Sequence, residues 1–465
     1  MKPTIKRFLY LYLTSFIYFY IFWALYNYQV RGDTEMYLQM GKGVFQEFTF
    51  GYRGMDGQFH PMAFRMPLVP VIMGFFRFLT GKDALAYFFF SLYQVFLAAI
   101  LPCLAFYFGD KINRKTAWGA FVFLLLHQNL LSSTLQVLTD MTFAAASGIS
   151  FLFLWKGLEK EKNRDFFLSG FVAGIAFLVR PIMKFYIFIV VFFMLSFNKD
   201  FKSRLKIFSF YLAAFILPIA PWLIRNTVHY HTFVIETNQG LNMLWSHWNL
   251  VEIKEKDSSE IKDIKRKILN HGSSLVNVLT YNGWQYWVEN DLKVSRKLQE
   301  IAKETWLDHP WKVMQNWFRN FYAGTFSNMS YYYMGKTNWN RPFYWKIRNS
   351  GILEPENFHR KSFHLYCEMA RLMKLFYIFL APVGLILLFF RNRKIAVFIF
   401  FNILYFMGLT AFVAGNERYR LNLEIFFAVI IMYPLVTLIT RVMNMIQNRN
   451  KKDLQDETEY NHSDA

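Results

Sequence analysis

The chain alternates between long apolar runs and short polar connectors. Apolar runs of roughly bilayer length, which takes about 20 residues of helix, fall near residues 8–28, 85–108, 116–134, 140–156, 166–180, 182–198, 205–223, 372–390, 395–413 and 421–440. Ten such runs predict an all-α polytopic membrane protein with both termini on one side. The connectors on that side, DKINRK, KGLEKEKNRD, NKDFKSRLK and RNRK, and the tail segment RNRNKK are rich in Lys and Arg. The positive-inside rule therefore predicts that side to be cytoplasmic. The same count places residues 31–83, 136–140, 180–184, 225–371 and 415–420 outside. The run PLVPVIMGFFRFLTG is short and contains Arg77, which predicts an interfacial helix on the outer surface.

Four regions follow from this pattern: residues 1–223, an N-terminal transmembrane module whose first external loop spans 29–84; residues 224–371, an external aromatic-rich helical domain; residues 372–440, the C-terminal transmembrane helices; and residues 441–465, a cytoplasmic disordered tail. In the second region Leu292, Leu298, Ile301, Ala302 and Trp306 recur at helical spacing, and Pro310 predicts a break followed by another helix. At the N-terminus, Lys2, Lys6 and Arg7 precede an apolar stretch that continues to about Tyr26 with no small-residue cleavage site, so a retained first span is expected. The tail DLQDETEYNHSDA is too polar to support a packed core. Asn328-Met-Ser is a glycosylation sequon of the kind common by chance.

Composition narrows the class. Hydrophobic residues make up 54% of the 465 and charged ones 18%, too apolar for a soluble globule. The net charge of +20 does not imply nucleic acid, because the basic residues concentrate in connectors and in the polar block after Trp222. The two cysteines, Cys103 and Cys367, build no disulfide framework and read as packing residues.

Candidate chemistry gathers in the segments predicted outside. Asp33, in GDTEMY, shares a helical face with Tyr37, while Glu35 points away, so Asp33 is the first candidate for a catalytic acid or base and Glu35 the second. Equally, both acids suit the first turn of an interfacial helix. Asp140 opens the fourth span, either as an N-cap or as a functional acid at the edge of the membrane. Arg180 and Lys184 occupy a turn between two spans, with Pro181 forcing the break. Arg65, Arg225, Arg418 and Arg420 stand at similar outer ends, where a lone Arg snorkels to headgroups but a set of them forms a cationic mouth for phosphate.

These pieces, taken in order, resemble the GT-C class of polytopic glycosyltransferases, within it the polyprenyl-phosphate-sugar branch that includes protein O-mannosyltransferases and the lipid A aminoarabinose transferase (family 39-like). The matching stretches are GDTEMYLQMGKGVF, FRMPLVP, LTDMTF, GIAFLVRP, APWLIRNTVHYHTFV and NERYRLNLEIF, running from Gly32 to Phe427. The resemblance implies a membrane glycosyltransferase that moves a monosaccharide from a polyprenyl-phosphate donor to an acceptor hydroxyl at the external face. It implies Asp33 as base or acceptor-binding acid, Asp140 as a second acid, and Arg65, Arg180, Lys184, Arg225, Arg418 and Arg420 as donor-phosphate contacts. Tyr37, His60, Asn226 and Glu417 are candidates for sugar or acceptor contacts. Thr34 separates Asp33 from Glu35, whereas relatives often carry adjacent acids there. No metal or other cofactor is expected, although Asp33, Glu35, Asp140 and His60 would suit Mg or Mn in chemistry. Expected partners are the lipid-linked sugar, a hydroxyl acceptor and the bilayer, without nucleic acid. The rival reading is a transporter or flippase of a lipid-linked saccharide, which would place ionisable groups near the midplane on paired repeats. A structural subunit would leave the outer Arg set unexplained.

Overall fold

The computed structural model describes residues 3–25, 28, 30, 32–197, 201–271, 288–326, 372–415 and 417–463. The Asn328 sequon, Cys367 and Arg31 lie outside these residues. Apart from two three-residue strands, the described regular elements are helices. Seven of them are long and apolar enough to cross a membrane: Lys6–Leu25, Asp83–Asp110, Asp140–Lys160, Arg204–Tyr230, Leu372–Arg391, Arg393–Thr410 and Arg418–Asn450.

The other three predicted spans are also helical but shorter. The 116–134 run divides into α6 (Arg114–Leu125) and α7 (Gln128–Leu135), because His127 takes an extended backbone between them. Gln128, Asn129, Ser132, Ser133 and Thr134 give α7 a polar character, and all are buried in protein. Residues 163–177 form α9, and Pro181–Ser196 is a 3-10 turn followed by α10 (Tyr186–Phe197).

The chain enters through α1 (Pro3–Leu25), then α2 (Gly32–Gln46), a hairpin of β1 (Gly51–Arg53) and β2 (Phe59–Pro61), and α3 (Leu68–Thr80). The strands are antiparallel, with Tyr52 opposite His60. Helices α2 and α3 cross closely at Gly41 and Gly74. A Cβ at Gly41 would stand 2.2 Å from the Pro70 carbonyl oxygen, so the crossing requires glycine there. Helix α3 buries Val69 and Met73 and exposes Phe75, Phe78 and Leu79, the one-sided apolar surface expected of an interfacial helix.

Next come α4 (Asp83–Ala98), α5 (Ile100–Asp110), the α6–α7 pair and α8 (Asp140–Lys160), with α8 near the centre of the bundle. Helix α9 (Asn163–Phe177) packs on α8 through reciprocal hydrogen bonds: the Ser150 hydroxyl donates to the Ser169 carbonyl at 3.0 Å, and the Ser169 hydroxyl to the Ser150 carbonyl at 2.9 Å. Small hydroxyl residues suit such close helix contacts in an apolar setting.

After α11 (Phe201–Tyr230), a polar block contains α12 (Gln239–Leu244), α13 (Ser259–His271), α14 (Asp291–Asp308) and α15 (Pro310–Phe326). The Pro310 break separates the last two. The chain returns through α16 (Ala381–Arg391), α17 (Arg393–Thr410), a 3-10 segment Glu417–Leu423 and α18 (Glu424–Ser463). Helix α18 continues to Ser463, within the stretch whose composition reads as a disordered tail. That stretch holds no Pro or Gly and extends a helix already nucleated, which makes continuation inexpensive.

Candidate active site

Eight separated pieces of chain converge on one cavity of about 330 Å³, at the small end of the range for small-molecule sites, roughly 300–1,000 Å³. Asp33 and Tyr37 come from α2, Arg65 from the stretch between β2 and α3, and Thr139 from the approach to α8. Arg180 and Lys184 come from the turn after α9, Glu236 from the loop after α11, and Arg418 from the 3-10 segment before α18. Asn238, Asn242, Trp306 and Phe412 complete another part of the lining.

Local sequence explains these placements. Arg180 precedes Pro181 and is held extended (φ −146°, ψ 125°), the conformation favoured before proline, so its side chain leaves the axis of α9. Pro181 starts the 3-10 turn that carries Lys184. Thr34 is buried beside Asp33 and donates to the Val137 carbonyl at 2.7 Å, tying the start of α2 to the approach of α8.

Charge is organised in two pairings. Asp33 Oδ1 accepts from Arg65 Nη2 at 2.8 Å, while the Asp33 side chain keeps 44% of its surface exposed. Asp140 behaves differently: Oδ1 accepts from Arg180 Nη2 at 2.6 Å, Oδ2 from Arg418 Nη2 at 2.8 Å, and the side chain is only 4% exposed. Arg180 also donates to Thr139 Oγ1 at 3.1 Å and lies over the rings of Phe143 and Tyr419. Asp140 thus orients two guanidinium groups from behind the cavity wall, whereas Asp33 opens into the cavity.

Lys184 makes no ion pair with a described residue; its Nζ lies 4.9 Å from the Phe185 ring centroid. Glu236 likewise has no hydrogen bond or ion pair among the described residues. Burial pushes its carboxyl up to about 7, against the opposing pull of Lys184 and Arg65. Burial also raises the Tyr37 hydroxyl. Four cations therefore stand against three acidic side chains, Asp33, Asp140 behind the wall, and Glu236. The cavity carries a surplus of positive charge at either state of Glu236, which suits an anionic ligand with phosphate-like geometry.

Other predicted residues stand elsewhere. Glu35 faces away from the cavity, accepting from Gln39 at 2.6 Å and from the Tyr87 hydroxyl. Arg225 donates to the Phe50 carbonyl and, at 2.8 Å, to Asn226 Oδ1, so it pins the hairpin rather than lining the cavity. Asn226 Nδ2 donates to the carbonyls of Val234 (3.1 Å) and Ile235 (3.2 Å), holding the loop that presents Glu236. Arg420 is fully buried against Glu424 and the carbonyls of Gly324 and Thr325. In a 3-10 segment residues two apart point to different sides, so Arg418 and Arg420 diverge. The Glu417 side chain lies outside the described residues.

His60 accompanies Asp56 (2.8 Å) and Glu289, away from the cavity. Their ligand atoms lie within 4.8 Å of one another.

Two residues were missed by the sequence reading. Glu236 is a lone acid in the apolar stretch FVIET, a pattern that signals a buried carboxyl. Asp291 is 3% exposed, and its Oδ2 accepts from Ala63 N (3.0 Å), Thr237 Oγ1 (2.7 Å) and Tyr230 Oη (2.7 Å). One carboxylate thereby joins the Arg65 stretch, the Glu236 loop and α14; as a single carboxylate, nothing in its sequence context set it apart.

Residues 60–224 match the family model for dolichyl-phosphate-mannose-protein mannosyltransferases. The match bears out the resemblance to the polyprenyl-phosphate-sugar branch of the GT-C class, and the chain is a polytopic α-helical membrane protein carrying a glycosyltransferase signature in its N-terminal half. Among solved structures, ArnT from Cupriavidus metallidurans bound to undecaprenyl phosphate aligns at 10% identity over 91% of this chain and 78% of that one, with a TM-score of 0.39. Its apo state aligns at 10% identity over the same shares, with a TM-score of 0.37. No curated protein sequence matches the chain.

Proposed function

We propose that this protein transfers a monosaccharide from a polyprenyl-phosphate donor to an acceptor hydroxyl by a single displacement with inversion. The observation that carries the reading is that the exposed side of the Asp33 carboxylate and the cations Arg65, Arg180, Lys184 and Arg418 open into one cavity. The family signature over residues 60–224 supports a lipid-phosphate-linked sugar as donor.

In this reading the donor phosphodiester, a monoanion, rests against the cations. Asp33 Oδ2 takes the proton of the acceptor hydroxyl as that oxygen bonds to the anomeric carbon. The bond from the anomeric carbon to the phosphate oxygen breaks, and its electron pair leaves with the phosphate, which becomes a dianion. The cations bind the leaving phosphate more strongly than the ground-state diester, which lowers the barrier. Asp140 serves as a positioning residue that fixes Arg180 and Arg418. No step in this scheme calls on a metal.

The Lys/Arg-rich connectors on the opposite side support placing the cavity at the external face of the plasma membrane, with both termini in the cytoplasm. Purified protein incubated with a radiolabelled polyprenyl-phosphate sugar and a panel of acceptors tests the reading. The expected result is loss of donor with release of free polyprenyl phosphate. Donor that stays intact, or that crosses a vesicle membrane uncleaved, would overturn it.

A further inference from the structure

We propose that Glu236 is a proton-linked binding residue: neutral while the donor phosphodiester rests against Lys184 and Arg65 and ionised once the site is empty, it makes donor binding take up a proton and weaken as pH rises. The proposal rests on the reading of the cavity as a phosphate site.

The geometry that supports it is local. Glu236 lines the cavity, and Lys184 and Arg65 are the two cations whose charges act on its carboxyl. Its backbone cannot withdraw. Trp222 Nε1 donates to the neighbouring Ile235 carbonyl at 2.8 Å, and Thr237 N to the Ala63 carbonyl at 2.9 Å. The charged or titratable groups around the cavity are Asp33 and Tyr37 on α2, Arg65 beyond the hairpin, Arg180 and Lys184 after α9, and Arg418 and Tyr419 before α18. No histidine is among the described lining residues. With its carboxyl near 7, Glu236 is the group placed to change charge around neutrality.

The sign follows from electrostatics. An ionised Glu236 cancels part of the positive surplus and repels an incoming anion, so binding draws a proton onto it. Affinity is greatest below pH 7 and falls as pH rises through that value.

The test measures the affinity of the full-length protein for a farnesyl methyl phosphodiester, whose single charge is constant over the range used. The wild type is expected to weaken about tenfold between about pH 6 and about pH 8, as the neutral fraction of Glu236 falls. Glu236→Gln is expected to keep the affinity seen at low pH and to lose the dependence. Titration calorimetry of the wild type at about pH 7.5, in buffers of different ionisation heat, should show net proton uptake on binding. A flat wild-type profile, an unchanged slope in Glu236→Gln, loss of binding by that variant at low pH, or zero proton uptake would overturn the inference and leave the phosphate site standing. Absence of binding at every pH would overturn both.

Discussion

Arg418 and Arg420 are two residues apart, yet they belong to regions built on opposite rules. Around Arg420 the charge is closed and balanced. Its Nε donates to Glu424 Oε1 at 2.8 Å, its Nη1 to the carbonyls of Gly324 and Thr325, and its guanidinium lies 4.0 Å from the Tyr377 ring centroid. The Tyr377 hydroxyl reaches both Glu424 and His127, and all four side chains are inaccessible to solvent. Around Arg418 the charge is open and in excess: Asp140 is shared by two guanidinium groups, Lys184 makes no ion pair among the described residues, and Arg180, Lys184 and Arg418 line one cavity with Asp33 and Glu236. Surplus charge in a low-dielectric setting is sustained only where solvent or a ligand can answer it. The imbalance, more than the presence of arginine, marks the site.

Four substitutions probe this contrast. The largest effect is expected for Arg420→Ala, which strands the buried Glu424 carboxylate and should lower stability by about 3–5 kcal/mol, read as a lower unfolding midpoint in detergent. Arg418→Ala leaves Asp140 still paired with Arg180 and should cost clearly less; equal losses would erase the distinction between the regions. Lys184→Ala comes next. It should leave the unfolding midpoint unchanged and weaken donor binding by about 1.5–3 kcal/mol, the range for a hydrogen bond to a charged group, measured by titration with the lipid-phosphate sugar. Glu35→Gln should be smallest, within about 0.5 kcal/mol in stability, because the residue lies on the exposed face of α2. Its transfer rate should stay near that of the wild type.

Much of the architecture was readable from periodicity. Each of the ten apolar runs is mainly helical over its described residues, and Pro310 divides α14 from α15. Helical spacing also separated Asp33 and Tyr37 from Glu35. What periodicity did not supply was span length: the 116–134 run is interrupted at His127, and the buried polar face of α7 has meaning only once α8 and the Glu417–Leu423 segment pack beside it. Partner identity was equally hidden. Arg65, Arg180, Arg225, Arg418 and Arg420 look alike as outer-end arginines, and only three-dimensional pairing sends Arg225 to backbone carbonyls and Arg420 into a closed cluster. Glu236 and Asp291 gain their roles from contacts 50 or more residues away in several cases, such as Thr237 with Asp291, which no local pattern encodes.

The central claim is that Asp33 removes the acceptor proton while the surplus cations hold the donor phosphate. Single-turnover transfer from a radiolabelled polyprenyl-phosphate sugar, measured side by side with donor affinity for the wild type and Asp33→Asn, tests it most directly. The account predicts donor binding within a few fold of wild type and a transfer rate lower by about 10²–10⁴, the usual contribution of a general base. Transfer by Asp33→Asn at close to the wild-type rate would contradict it.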